Sequence, residues 1–288
     1  MDLLAQVLVN GILLGGLYAV MALGLALVWG VLNIVNLAHG SFIMLGGYVS
    51  WHLYTYLHVD PFLGLPLTAA VMYALGYGLQ RGVLNLIVRA PMFNTLLVTF
   101  GLDVLLTYLA QWVFSADFRT INPVYAGTHW QWGPVVLPRV RVGAFGMAIV
   151  LTVGMWLFLL HTRLGRAIRA TAQNLTAARL YGVEPRHLYA TTFAIGIALA
   201  GAAGGLYATV SQLNPYIGAT LTAKSFAIAI IGGLDNPLGV LVGGLFLGVV
   251  ESLTTLYVGP TYADVASFGI LLLVLIVRPT GLLGKAAA

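Results

Sequence analysis

Residues 3–59 read LLAQVLVNGILLGGLYAVMALGLALVWGVLNIVNLAHGSFIMLGGYVSWHLYTYLHV, without a single Asp, Glu, Lys or Arg. As one helix, at about 1.5 Å per residue, this stretch would far outrun a hydrocarbon core of about 30 Å, so it folds back at least once. The natural break is the polar cluster N-I-V-N-L-A-H-G at residues 33–40. The rest of the chain has the same character: of 288 residues, 60% are apolar and 7% charged, with 35 glycines and no cysteine. A soluble domain carries about 25% charge, far more than is available here to cover a surface. The same numbers exclude disorder, and the absent thiols exclude a disulfide scaffold. What remains is a polytopic membrane protein.

Charge gaps and punctuation place spans near residues 6–31, 40–57, 61–80, 92–114, 144–162, 188–210, 217–234, 238–257 and 263–278. The seventh contains Lys224, and the stretch beyond that lysine is only about half a span, so a half-helix or broken helix is the alternative there. The expected fold is therefore an all-α polytopic membrane protein of about eight to nine transmembrane helices, some of them broken, forming one domain over residues 1–288.

Basic residues in short loops set the orientation. With an external N-terminus and a cytoplasmic C-terminus, the inner side holds Arg81, Arg89, Arg163, Arg166, Arg169, Arg179, Arg186, Arg278 and Lys285. The outer side holds Arg119, Arg139, Arg141 and Lys224 against Asp2, Asp60, Asp117 and Asp264. The net charge of +5 thus reflects membrane topology. The interleaved basic and aromatic surface that nucleic acid would require is absent.

Two loops are long. The outer one, residues 115–143, is rich in Pro, Trp and Tyr and has the alternation V-V-L-P-R-V-R-V, enough for a short hairpin. The inner one, residues 162–187, reads TRLGRAIRATAQNLTAARLYGVEPRH. In it Asn174 is a helix N-cap, L-T-A-A-R-L-Y supplies helix formers, and Gly182 supplies the stop. Leu175, Ala178 and Arg179 fall on one side of this short helix, which predicts an exposed face of small residues. Taken as a plain connector, the loop would rest on anionic lipid through its arginines.

Polar groups inside spans require a reason. Asn33, Asn36 and His39 cluster at the first break, and Asp235 and Asn236 lie in a G-G-L-D-N break near the other end of the chain. Aligning G-V-L-N at residues 30–33 with G-G-L-D at residues 232–235 gives similar flanks, a weak internal repeat. Interrupted segments in matching positions of two halves point to a translocation path, although capped turns at the membrane surface would look the same. Asp103 and Glu251 stand alone in apolar spans. Glu251 is read as structurally paired, with Lys224 as a partner or as a base reaching the outer interface.

The run G-R-A-I-R-A-T-A-Q-N-L-T-A-A-R-L-Y-G-V resembles the cytoplasmic coupling loop of bacterial ABC importer permeases, and more narrowly that of the smaller permease of branched-chain amino-acid uptake systems. N-I-V-N-L-A-H-G-S-F-I-M-L-G-G-Y, A-I-A-I-I-G-G-L-D-N-P-L-G-V-L-V-G-G-L-F-L-G-V-V-E and the terminal R-P-T-G-L-L-G match the habits of the same family, so the likeness spans residues 11–284. It implies a permease that is not an enzyme. Two ATP-binding subunits would carry ATP and Mg, a second related permease would complete a heterodimer, and a periplasmic binding protein would deliver Leu, Ile or Val. The chain would lie in the bacterial inner membrane and bind no cofactor, metal or nucleic acid. The helix formed by Asn174, Leu175, Ala177, Ala178, Arg179, Tyr181, Gly182 and Val183 would dock on an ATPase subunit. No G-x-x-x-x-G-K-[ST] phosphate loop occurs, in keeping with that division of labour. Related importers serve urea, short amides or aromatic acids. An ion-coupled carrier using Asp103 or Glu251 as a relay would have no use for a docking helix, and a hydrolase built on Ser41 and His39 has its two groups facing apart.

Overall fold

The computed structural model describes residues 2–88, 90–233, 236–278 and 281–283. Its helices are α1 (Asp2–Leu32), α2 (His39–Leu57), α3 (Leu65–Leu79), α4 (Asn85–Ile87), α5 (Met92–Phe114), α6 (Arg139–His161), α7 (Arg163–Gln173), α8 (Leu175–Leu180), α9 (Pro185–Val210), α10 (Ile217–Gly232), α11 (Pro237–Tyr257) and α12 (Ala263–Val277). A π-helical turn, Gln80–Leu84, joins α3 to α4, so the third span runs past its expected end at residue 80. The only strands among the described residues are β1 (His129–Trp132) and β2 (Val135–Pro138). The protein is an all-α polytopic membrane protein, and each of the nine expected spans falls on a helix.

Six of these helices are long and apolar enough to cross a bilayer: α1, α5, α6, α9, α11 and the stretch Pro260–Val277 that contains α12. α10 is only 16 residues long, or about 24 Å, short of a full hydrocarbon crossing. The seventh span is thus a short but continuous helix that runs through Lys224, and it is not broken there. α6 begins at Arg139, before the expected residue 144, and brings Arg139 and Arg141 into its first turn.

The helices sort into a centre and a rim. In α1, 89% of the most apolar window is buried, against 17% in α5 and 11% in the α12 stretch. α1 packs along α11 and α9, and α9 along α2 and α3. Glycines set these distances. A Cβ on Gly15 would lie 2.6 Å from the Leu245 Cα, and one on Gly248 would lie 2.6 Å from the Gly15 Cα, so α1 and α11 touch backbone to backbone. Gly46 of α2 and Gly201 of α9 meet in the same way. Small residues four apart permit such contact, and in lipid it is van der Waals packing that holds helices together. Gly232, Gly243 and Gly244 are packed against neighbouring helices too.

The bundle has two ends, one carrying α7 and α8 and the other carrying the hairpin. Trp132 pairs with Val135 across a tight turn in which Gly133 has a φ of +60°. A short hairpin is present in the loop 115–143, but of the run V-V-L-P-R-V-R-V only Val135–Pro138 is strand, paired with His129–Trp132; the alternating R-V-R-V that follows is the first turn of α6. The segment before them is tied down by Arg119 and Leu213, whose N–H groups donate to each other's carbonyls at 2.9 and 2.8 Å. The Tyr125 hydroxyl donates to Asp60 at 2.7 Å. Burial raises the Tyr125 pKa above the ordinary tyrosine value, and the hydrogen bond to Asp60 adds to that.

Candidate functional site

Between α1 and α2 the backbone is irregular at residues 33–38, and its polar groups need partners away from water. Two threonines supply them. The Thr99 hydroxyl of α5 donates to the Val35 carbonyl at 2.9 Å and accepts from the Leu37 N–H at 3.3 Å. The Thr222 hydroxyl of α10 donates to the Leu37 carbonyl at 3.1 Å and accepts from the Gly40 N–H at 2.8 Å. The first break is therefore clamped between α5 and α10. Asn36 is fully buried, and its Oδ1 accepts from the Ala38 N–H at 3.2 Å. His39, also buried, places Nε2 2.8 Å from the Met21 carbonyl, deep along α1. Asn33 is exposed, with a φ of +53°.

The second break repeats this geometry at an offset of 200 residues. The Asn33 N–H donates to the Trp29 carbonyl, and the Gly233 N–H to that of Ala229, both at 3.0 Å. Gly233 also has a positive φ, +96°, and the Asn236 Oδ1 accepts from the Leu238 N–H at 3.1 Å, as Asn36 accepts from Ala38. The sequence alignment pairs Asn33 with Asp235. The backbone pairs it with Gly233, because the register is set by the left-handed residue that ends each helix. Asp235 lies outside the described residues, as do Arg89 and Lys285. The end of the R-P-T-G-L-L-G motif closes this break: the Leu282 N–H donates to the Ile231 carbonyl at 2.7 Å. No described hydrogen bond joins one break to the other.

At the end carrying α8, a cavity of about 420 Å³ brings the first break and the loop together. Asn33 and Ile34 from the break, Met92 and Thr95 from α5, and Thr171 and Leu175 from α7 and α8 line it. The loop is more ordered than its sequence suggested. α7 is capped by the Thr162 hydroxyl, which accepts from the Gly165 N–H at 2.9 Å. It buries Gly165, Ile168 and Thr171 and turns Arg163, Arg166 and Arg169 outward. Two of those arginines donate to α6 carbonyls at its C-terminal end, those of His161 and Leu160, at 3.2 and 3.4 Å, where the helix dipole favours a cation.

α8 has the caps its sequence predicted. The Asn174 Oδ1 accepts from the Ala177 N–H at 2.9 Å. Gly182 takes a φ of +83°, its N–H donates to the Arg179 carbonyl at 3.0 Å, and the Val183 N–H donates to that of Ala178 at 3.2 Å. These are the paired bonds of a Schellman stop. The exposed face is not the expected one. Ala178 is 4% exposed and faces its own chain, whereas Leu180 and Tyr181 are 84% and 90% exposed. Thr176 and Arg179 are exposed as well, while Leu175, Ala177 and Val183 are half-buried. Leu180 was missed because a six-residue helix is too short to show a buried stripe in its sequence.

The three isolated charges part company. The Lys224 Nζ lies 2.9 Å from Glu251 and 3.0 Å from Asp264. Glu251 further accepts from the Tyr18 hydroxyl at 2.7 Å and from that of Ser267 at 2.8 Å. α1, α10, α11 and α12 are thereby knotted together, and Lys224 is paired rather than reaching for an interface. Asp103 is elsewhere. Its Oδ1 accepts from the Ser41 hydroxyl at 2.5 Å, and that hydroxyl lies 3.5 Å from the Thr107 hydroxyl. The described hydrogen bonds take Ser41 to Asp103 and His39 to the Met21 carbonyl, and none joins the two.

A family model described as the permease component of branched-chain amino acid transport systems matches residues 7–275. The high-affinity branched-chain amino acid transport system permease protein BraD of Pseudomonas aeruginosa is 32% identical, over 97% of this chain and 95% of its own length. The permease protein LivH of Escherichia coli is 31% identical over the same shares. LivM of Escherichia coli is 28% identical, over 93% of this chain and 68% of its own. No solved structure matches. The chain belongs to the family of permease components of branched-chain amino acid transport systems.

Proposed function

We propose that this chain is a path-forming subunit of an ATP-driven importer in the bacterial inner membrane. It works beside a second, related permease, and two ATP-binding subunits drive it. Leu, Ile and Val are its cargo, delivered by a periplasmic binding protein. The relatives named for this transport, which match almost end to end, support the substrate class. The likeness to LivM as well as to LivH supports a heterodimer of related permeases. In this reading the α8 end is cytoplasmic and the hairpin end is external, in accord with the basic residues of residues 162–187.

The observation that carries the mechanism is the cavity shared by α8 and the first break. A rigidly capped helix exposes Leu180 and Tyr181 outward and presses Leu175 inward, beside Asn33. A partner that grips the two exposed apolar side chains and moves would shift the wall of the break itself. Asn33, Asn36, His39, Asp235 and Asn236 would then frame the path at two matching interruptions. His39 does so by anchoring α2 to α1, Asn36 by holding the turn that precedes α2, and Asn236 by capping α11.

The test is a pull-down and an uptake assay at matched expression. Leu180→Ser with Tyr181→Ala should insert normally, lose the ATPase in the pull-down and lower leucine uptake at least tenfold. Full uptake by the double variant with the ATPase still bound would reduce α8 to a connector. Titrating the binding protein encoded beside this chain with leucine, urea and benzoate separates the substrate classes. Leucine alone is expected to bind.

A further inference from the structure

Two described carboxylates, Asp103 and Glu251, sit away from the ends of their helices, and of these only Glu251 is neutralised by its own chain. Glu251 has Lys224, Tyr18 and Ser267 around it. Asp103, at the centre of α5, has the Ser41 hydroxyl on Oδ1, and no described group donates to Oδ2. Among the described residues no Lys, Arg or His nitrogen lies within 4.0 Å of it. An uncompensated ionisable group at this depth is costly and marks a route for something that completes it.

Asp103 also belongs to a series. Thr95, Thr99, Asp103 and Thr107 recur every four residues along one side of α5, a rise of about 6 Å per step. Thr95 stands in the wall of the cavity at the α8 end. Thr99 holds the broken backbone at Val35 and Leu37. Asp103 and Thr107 meet Ser41, in the first turn of α2. Oxygen atoms thus lead from the cavity to the middle of α5 and beyond, on a helix that is otherwise apolar and only 17% buried in its most apolar window. Asp103 and Thr107 themselves are half-buried, which leaves them approachable, while Leu106 and Ala110 beside them are closed off. Leu97 and Leu105, on the opposite face, are exposed.

We propose that Asp103 binds the ammonium group of the transported amino acid midway along the path. The proposal rests on the importer reading above and adds to it a carboxylate that lies outside both helix breaks. An α-ammonium offers three N–H donors and one positive charge. Here it would find a carboxylate oxygen without a donor of its own, with the Ser41 and Thr107 hydroxyl oxygens beside it. A urea or a neutral amide would leave the charge of Asp103 unmatched, so the site favours cargo carrying a cationic end.

The experiment uses the whole complex in proteoliposomes, with leucine-loaded binding protein outside. Asp103→Asn keeps the size and one acceptor oxygen but removes the charge. It should lower leucine uptake at least tenfold while leucine-dependent stimulation of ATP hydrolysis persists, and Asp103→Glu should restore part of the uptake. A capping role alone would not separate hydrolysis from uptake in that way. Uptake by Asp103→Asn at the wild-type rate overturns the proposal. So does failure of that variant to assemble, since the carboxylate would then serve only to hold α2. A wild-type complex that imports no amino acid sinks the importer reading first, and the wild-type arm keeps the two failures apart.

Discussion

The seam between α1 and α11 and the seam between α2 and α5 are built of opposite materials. In the first, glycines face backbone, and a methyl group has no room at Gly15, Gly244 or Gly248. A lysine and two carboxylates bolt the same region together at Lys224. In the second, threonine and serine hydroxyls reach across to a carboxylate and to broken backbone. Steric contact fixes a distance, whereas a hydrogen bond to a hydroxyl can be exchanged for one to water or cargo. The difference teaches where this molecule can yield: along α5, at its rim, and not along α1.

The largest effect is expected at the bolt. Lys224→Met strands the buried Glu251 and should cost about 3–5 kcal/mol, as breaking a buried pair does. The readout is the thermal midpoint of the purified complex, and Lys224→Met combined with Glu251→Gln should recover a good part of the loss. Next comes the glycine seam. Gly244→Val forces α1 off α11 and should cost about 1–3 kcal/mol or more by overpacking. A fully stable Gly244→Val would show that this seam is as compliant as the other. On the α5 side, Thr99→Val leaves the Val35 carbonyl and the Leu37 N–H without that partner, for about 1–3 kcal/mol if water cannot reach them. Last comes Ser41→Ala, which removes one hydrogen bond to a half-buried carboxylate, for about 1.5 kcal/mol. If Ser41→Ala destabilises more than Gly244→Val, the contrast between the seams is reversed.

Much of this architecture was legible because its causes are local. A charge-free run longer than a bilayer must turn back, and N-I-V-N-L-A-H-G is where it does so. Asn174 and Gly182 announce the two ends of α8 because cap chemistry acts within a few residues. The face of α8 was not legible, since Ala178 and Leu180 look alike until the rest of the chain decides which side is covered. The pairing of Lys224 with Glu251 was foreseen, but Asp264 as its second partner was not. Nor was Ser41 as the donor to Asp103, or the threonine clamp on the first break. Those contacts join residues remote in sequence, and no local pattern records them.

The cluster at Lys224 also has a consequence for biogenesis. α10 is synthesised before α11 and α12, so its lysine emerges before either of its counter-charges exists. A lone lysine near the centre of a nascent span opposes insertion by about 2.5–3.5 kcal/mol, and α10 is too short to cross unaided. α10 therefore settles only when Glu251 and Asp264 arrive, which makes the last quarter of the chain a single late unit of membrane integration. A ribosome stalled between α10 and α11 would hold a helix that has not yet entered the bilayer.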